Sequence, residues 1–317
     1  MAVRQIYRLY GMVLDGAQFG GPITLGGLTT SSVSANAQVN QDYTDGNPHP
    51  TRTTIQNFAE ELSFSTLNVD TALQVIGALS QCIDVGSSIV LYYARFTECN
   101  SGPAPGSVHR SITITQAGNS AGLIHAGSLT CDHRGDAQFS LMIKPKSDGI
   151  NSPIVINQNI ALPALVFDNR NRYTIGPVEL DGNTIDGLKN VSLEFGIELD
   201  RESADSSIRD EFIGLKQTAA KITMSGINPE WWDTLGVNGN ALAHADSSIV
   251  FRRRLPGGAG FEPPAETRHI RLTCAGLAVP TNYVSTNEQA PAEAGLEIYC
   301  DHDGTNVPIV AQSGIAY

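Results

Sequence analysis

The side chains that could do chemistry are scattered, and none of the spacings among them matches a known catalytic or metal-binding arrangement. Two triplets, Cys131-Asp132-His133 and Cys300-Asp301-His302, look alike, but neither has the ligand spacing of a zinc finger. The triplets lie 169 positions apart, off the register of the chain's internal repeat, whereas His109 and His269 are equivalent positions, and a lone histidine at the start of a strand is usually structural. No Gly-X-Ser-X-Gly, His-Glu-X-X-His, Gly-X-Gly-X-X-Gly or phosphate-cradling loop occurs. The acidic stretch Asp200–Glu211 lacks the glycine and the ligand spacing of a calcium loop. Nothing gathers a nucleophile, a base and oxyanion donors. The reading is a non-enzyme with no cofactor and no metal.

Composition narrows the remaining classes. A net charge of −12 argues against a groove that grips nucleic acid, because phosphate binding needs clustered Lys and Arg. The one basic cluster, Arg252-Arg253-Arg254, reads as a surface or inter-subunit ion pair sooner than as a phosphate site. Charged residues are only 16% of the chain, well under the roughly 25% of an ordinary globular protein. Such a surface suits many turns, or faces that an assembly covers. The five cysteines are odd in number and show no Cys-X-X-Cys spacing, which suggests reduced thiols made in a cytoplasm. There is no signal-peptide h-region at the start and no run of 18 apolar residues, so no membrane anchor is expected.

The elements that would position any site come in two sets. Ser87-Ser88-Ile89-Val90 recurs as Ser247-Ser248-Ile249-Val250, 160 positions on, in a chain of 317 residues. At that offset Gly27-Leu28 meets Gly187-Leu188, Val33 to Val39 meets Leu193 to Leu199, Leu62 and Phe64 meet Ile222 and Met224, and His109 meets His269. Beyond a net deletion the offset becomes 155, and Pro153-Ile154-Val155 meets Pro308-Ile309-Val310. Asp148-Gly149 then meets Asp303-Gly304. Short-period solenoids repeat every 20–50 residues, so this reads as a duplicated domain, with copies over 1–165 and 166–317.

Within each copy, period-2 alternation predicts half-buried antiparallel strands over Val33–Val39 and Val191–Leu199. Further strands are expected at Glu61–Thr66, Lys221–Ser225, Ser87–Phe96, Ser247–Arg254, Arg110–Thr115, His269–Cys274, Gln138–Ile143 and Leu296–Cys300. Asn68 opens a helix through Leu79, and Asn228-Pro229-Glu230 opens a second that Gly236 closes. Residues 1–22 read as an N-terminal arm with a strand through Ile6, Leu9, Met12 and Leu14. The fold expected is mainly β with some α: two tandem copies of an antiparallel β-sandwich or barrel, each with one short helix and a long polar loop. Those loops are 41–56 and 201–216, and loops of such length are usually functional. As candidate inter-ring or inter-subunit contacts they offer Gln41, Asp42, Tyr43, Asp45 and Arg52 in the first, and Arg201, Glu202, Asp205, Arg209, Asp210 and Glu211 in the second.

The second copy carries a resemblance. An alternating strand (Val191–Leu199), an acidic loop (Asp200–Glu211), then Phe212-Ile-Gly214-Leu-Lys216 and a strand with Ile222 and Met224 resemble the tail tube proteins of long-tailed bacteriophages and the related type VI secretion tube. The resemblance covers about 35 residues; the first copy departs from it, with Phe58 and Pro-rich turns in the same place. It implies a structural virion protein made in a bacterial cytoplasm and placed in the tail. Two fused tube domains per chain imply trimeric, pseudo-hexameric rings that stack into a conduit for DNA ejection. The implied partners are further copies, the tip, terminator and tape-measure proteins, and DNA that passes without specific binding. A tail-tip or hub protein, a capsid decoration protein and, from another class, a carbohydrate-binding β-sandwich are the alternatives.

Overall fold

The computed structural model describes residues 5–317 except 45, 47, 78, 80–81, 97–101, 116–119, 168–170, 186, 206, 233–241, 258–259, 286–291 and 303–306. Strand runs through most of what is described, and one helix is assigned among those residues. The first half holds β1 (Ile6–Asp15), β2 (Ile23–Leu25), β3 (Leu28–Ser34), β4 (Ala37–Asp42), β5 (Arg52–Phe58), β6 (Glu61–Thr66), α1 (Val69–Ile76), β7 (Cys82–Val85), β8 (Ser88–Phe96), β9 (His109–Thr115), β10 (Gly122–Asp132), β11 (Gln138–Pro145) and β12 (Ile154–Ile160). The second holds β13 (Tyr173–Leu180), β14 (Asn183–Ile185), β15 (Asn190–Glu194), β16 (Ile197–Glu202), β17 (Phe212–Thr218), β18 (Lys221–Ile227), β19 (Leu242–Arg253), β20 (His269–Ser285), β21 (Glu293–Cys300) and β22 (Ile309–Ile315). Every ladder between them is antiparallel.

Period-2 patterning decides which side of each strand goes in. Leu62 and Phe64 of β6, Phe139, Leu141 and Ile143 of β11, and Ile222 and Met224 of β18 are buried, while their neighbours in sequence are not. Burying one such Phe or Leu side chain contributes about 1.5–3 kcal/mol. α1 turns Val69, Ala72, Leu73, Val75 and Ile76 into the same core, at the 3–4 spacing of one helix face. It stops at Gly77, whose φ of 63° lets its N–H reach Leu73 O at 2.8 Å.

The strands form a five-stranded sheet in the order β12-β9-β8-β1-β2 and a 13-stranded sheet that begins β14-β13-β19-β20-β21-β18-β15-β10-β11-β6-β3. The unequal sizes have a local cause. In the second half β20 runs on through a bend at Gly276, pairing with β22 before it, with β21 after it and with β19 across it as far as Ala278. A Cβ at Gly276 would overlap the backbone of Tyr299, and one at Gly122 would overlap that of Lys144. The first half divides the same path into β9 and β10. Each half therefore has one layer ordered β12-β9-β8-β1-β2 or β22-β20-β19-β13-β14, and a second layer of β3, β6, β11 and β10 or β15, β18, β21 and the far end of β20.

The pairing registers of the halves coincide. Ala37↔Phe58 and Asp42↔Arg52 recur 160 positions on as Ile197↔Thr218 and Glu202↔Phe212, with a register shift at the same place. Val33↔Leu62 recurs as Leu193↔Ile222. Ile154↔Ile114 recurs as Ile309↔Cys274, and both ladders slip next to a left-handed residue, Asn159 (φ 57°) or Gly314 (φ 70°).

One element of the sequence alignment needs correction. The Ser-Ser-Ile-Val echo is not structurally in register. Ile89 lies opposite Leu14 and Ile114, whereas the same place in the second half, opposite Leu180 and Cys274, is held by Ser247. β8 and β19 thus correspond at an offset of 158. A slip of two residues keeps every side chain on its own face, so the apolar matching at 160 could not expose it. The backbone does: Arg95 N–H donates to His109 Nδ1 at 3.0 Å and Arg253 N–H to His269 Nδ1 at 3.1 Å. Both histidines are structural, as their position suggested.

Other expectations shift. The strands expected over Val33–Val39 and Val191–Leu199 each break in the middle, at Asn36 (φ 43°) and Gly196 (φ 54°). The two long polar loops are β-hairpins, β4–β5 and β16–β17, closed by shorter turns. Residues 6–15 are no loose arm, since β1 pairs with both β8 and β2. Of the second helix only Trp231 and Trp232 are described as helical, and Gly236 lies outside the described residues, as do Asp303-Gly304.

Candidate assembly interface

No metal-binding cluster of His, Cys, Asp or Glu exists among the described residues. Cys131 is buried, and its desolvation pushes the thiol up to about 11, away from the thiolate that metals and electrophiles need. A cavity of about 410 Å³ lies beside His133, Lys189 and Arg252. Its cations are already engaged: Lys189 with Glu293, and Arg252 with Ile175 O and the Phe261 ring. The three-arginine cluster is consumed similarly, Arg253 by Asn171 and Arg254 by Asp136 at 3.1 Å.

What the fold does build is a seam. β10 of the first half pairs with β15 of the second through Ser128↔Glu194, Leu129↔Leu193, Thr130↔Ser192, Cys131↔Val191 and Asp132↔Asn190. Beneath it Phe139 and Phe195, both fully buried, meet edge to face with centroids 5.9 Å apart. The two four-stranded layers are thereby joined side by side into one continuous wall, and its outermost strands are β3 at one end and, past Ala278 where its pairing with β19 stops, the far part of β20 at the other.

A charged clasp closes the same seam. The turn of the second hairpin folds back so that Phe58 N–H donates to Ile208 O at 2.8 Å and Ser147 N–H to Asp210 O at 2.9 Å. Arg209 pairs with Glu60 and lies over the Phe58 ring, 4.5 Å from its centroid. Arg201 holds Asp210 at 3.2 Å. Ser207 Oγ donates to Gly149 O at 2.9 Å. Beside this clasp the buried His125 is held below its ordinary value, first by desolvation and then by the nearby Lys144 and Arg201 cations. Lys144, itself depressed by burial, pairs with Glu61.

The predicted contact residues divide accordingly. Arg201, Arg209 and Asp210 are engaged within the chain. Glu202 and Asp205 are exposed, and Glu211 is half-buried near Ala204 N. In the first hairpin Gln41, Tyr43 and Arg52 are exposed and Asp42 is half-buried, its Oδ1 accepting from Asn40 at 2.8 Å. Asp45 lies outside the described residues. Sequence reasoning passed over apolar pairs at equivalent places on the two ribbons: Val39 opposite Ile55, and Leu199 opposite Leu215. Val39, Ile55 and Leu215 are 54%, 47% and 44% exposed. The alternation Val-Asn-Gln-Asp against Thr-Thr-Ile-Gln was the available signal.

The wall's second face is polar and slightly acidic, with Asp132 of β10 and Glu194 of β15 exposed on it. It carries Ser63 and Ser65 of β6, Gln138 and Ser140 of β11, Thr130 of β10, Ser192 of β15, and Thr223 and Ser225 of β18, all opposite to the buried side chains of the same strands. Its lysines are matched by acids, Lys144 by Glu61 and Lys221 by Glu297. Both lysines are thus neutralised by a neighbouring carboxylate. No protein-family model and no curated protein matches the chain.

Proposed function

We propose that the chain is a structural, ring-forming protein of a virion tail: a major tail tube protein whose two fused domains, 1–165 and 166–317, form trimeric pseudo-hexameric rings that stack into a conduit for DNA. The observation that carries this reading is the β10–β15 seam between two halves with the same pairing scheme. A contact that joins unlike edges of like units is heterologous, and repeating it either closes a ring or runs on as a filament. The chain has made the contact once and keeps the same two kinds of edge free, β3 and β20, to make it again.

The other features fit this arrangement. A hydroxyl-rich wall face with paired charges suits a lumen that must let DNA slide, since strong binding would require unpaired Lys and Arg. Hairpins with exposed apolar pairs suit contacts to the rings above and below. The low charge content and the net charge of −12 suit surfaces that are either covered or repel DNA. Tip, terminator and tape-measure proteins would be the further partners. The test is native mass measurement of the purified protein over a range of concentrations. Trimers, or stacks in steps of three chains, are expected; a monomer or dimer that persists at the highest concentration, with no polymer, contradicts the proposal.

A further inference from the structure

The seam inside the chain can be transferred, residue by residue, to the seam between chains. β10 and β20 correspond at an offset of 154 as far as Asn282, since their ladders to β11 and β21 match through the same register shift: Ala126↔Leu141 and Ser128↔Ser140 in one, Pro280↔Leu296 and Asn282↔Gly295 in the other. Beyond Asn282, β20 takes a further shift that β10 lacks, so Thr130↔Gln138 meets Ser285↔Glu293 and the offset becomes 155. β3 and β15 correspond at 160 through their ladders to β6 and β18. Applying these offsets to the β10–β15 register gives one set of partners. From this we infer that β20 of one copy pairs antiparallel with β3 of a second copy in the register Asn282↔Ser34 and Ser285↔Ser32, with Tyr283 and Val284 together opposite Val33.

Both strands are in the state such a contact needs. Among the described residues β3 pairs only with β6, and β20 pairs with β19 as far as Ala278 and beyond it on one side only, with β21. Tyr283 and Val284 are 49% and 54% exposed and Ser285 is exposed, although Leu129 and Thr130 in the same part of the internal seam are buried and half-buried. Tyr283 O accepts from Trp232 Nε1 at 2.8 Å, which leaves Asn282 and Ser285 as the pairing positions. Ser32 is exposed. A long exposed edge with apolar side chains is a pairing site, and a strand added to it gains main-chain hydrogen bonds along its length.

The two seams differ in one respect. The clasp residues Phe58, Glu60, Arg201, Arg209 and Asp210 correspond, at 160, to Thr218, Ala220, Gln41, His49 and Pro50. The intermolecular seam therefore has no counterpart of the Arg209–Glu60 or Arg201–Asp210 ion pairs and rests on backbone pairing and apolar contact. It is the seam that forms and opens during assembly, while the clasped one stays shut.

This inference rests on the ring reading, and the experiment separates the two. Ser32→Cys and Ser285→Cys are made in separate chains, mixed, assembled and oxidised. Directly opposed residues on antiparallel strands have Cα atoms about 4.5–5.5 Å apart, within disulfide range. The expected result is a covalent dimer from S32C with S285C that needs both variants and disappears in denaturant before oxidation. S32C with L277C, which lies eight positions along β20, should give none. Trimers or tubes that form without the S32C–S285C link, or that link S32C to L277C instead, overturn the register and leave the ring reading intact. Failure of any oligomer to form overturns both.

Discussion

Replacing Arg209 with alanine tests the clasp in isolation. The Glu60 and Arg209 side chains are 6% and 13% exposed, so the substitution would strand a carboxylate with little access to water. Breaking a buried pair by removing one partner costs roughly 3–5 kcal/mol. The residual exposure of Arg209 places this case near the low end, about 3 kcal/mol. Loss of the guanidinium from the Phe58 ring, 4.5 Å away, adds about 0.5–1 kcal/mol. The backbone bond from Phe58 N–H to Ile208 O does not depend on the side chain and is retained. R209A should therefore lower the free energy of unfolding by about 3–4 kcal/mol. Removing both charges, as in Glu60→Leu with Arg209→Leu, should cost no more than about 1 kcal/mol, because buried ion pairs exchange for apolar contacts nearly evenly. Urea unfolding, with the slope checked for constancy, gives both numbers and the coupling. A cost below about 1 kcal/mol for R209A, or a double variant that costs the sum of the singles, would refute the claim that this pair locks the seam.

Other perturbations follow from the same geometry. Burial holds His125 below its ordinary pKa, so the unfolded chain takes up a proton as pH falls through about 6.5 while the folded chain does not. The stability is present above that pH and is lost below it, and denaturant midpoints measured from pH 7.5 to 5 should show a slope that His125→Gln flattens. Phe139→Ala and Phe195→Ala should each cost about 3–5 kcal/mol, with about 0.5–1.5 kcal/mol of coupling from their edge-to-face contact; strictly additive costs would mean the halves do not meet there. Gly196→Ala places a Cβ against Ala219 O at a φ of 54° and should cost about 1–3 kcal/mol, read from the same unfolding curves. Val39→Ser with Ile55→Ser should change the stability of the isolated chain by less than about 0.5 kcal/mol yet abolish stacking seen by light scattering.

Much of this architecture was legible because strand pairing obeys a period of two. Leu62, Phe64, Leu193 and Ile222 announced their faces, and their common offset announced the matching ladders. The same periodicity concealed the error at Ser87-Ser88-Ile89-Val90, since a slip of two residues leaves the inward set unchanged and only the hydrogen-bond partners of His109 and His269 reveal it. The hairpins were hidden for a different reason: β4 and β5 are wet on both faces, so Val39 and Ile55 stand among polar residues without a continuous apolar stripe. Arg209 and Asp210 looked like solvated loop charges. Their burial comes from a contact with Phe58, Glu60 and Ser147, roughly 60–150 positions away, a separation no local pattern encodes. The β10–β15 seam is of the same kind, made where Leu129 meets Leu193.

The most direct test of the central claim is electron cryo-microscopy of the assembled protein at a resolution that traces strands. The account predicts rings of three chains, with near-six-fold symmetry, whose inner wall is one unbroken antiparallel sheet in which β3 of each chain lies beside β20 of the next. Rings of six chains, or a wall in which β3 and β20 face solvent while the hairpins line the lumen, would contradict it.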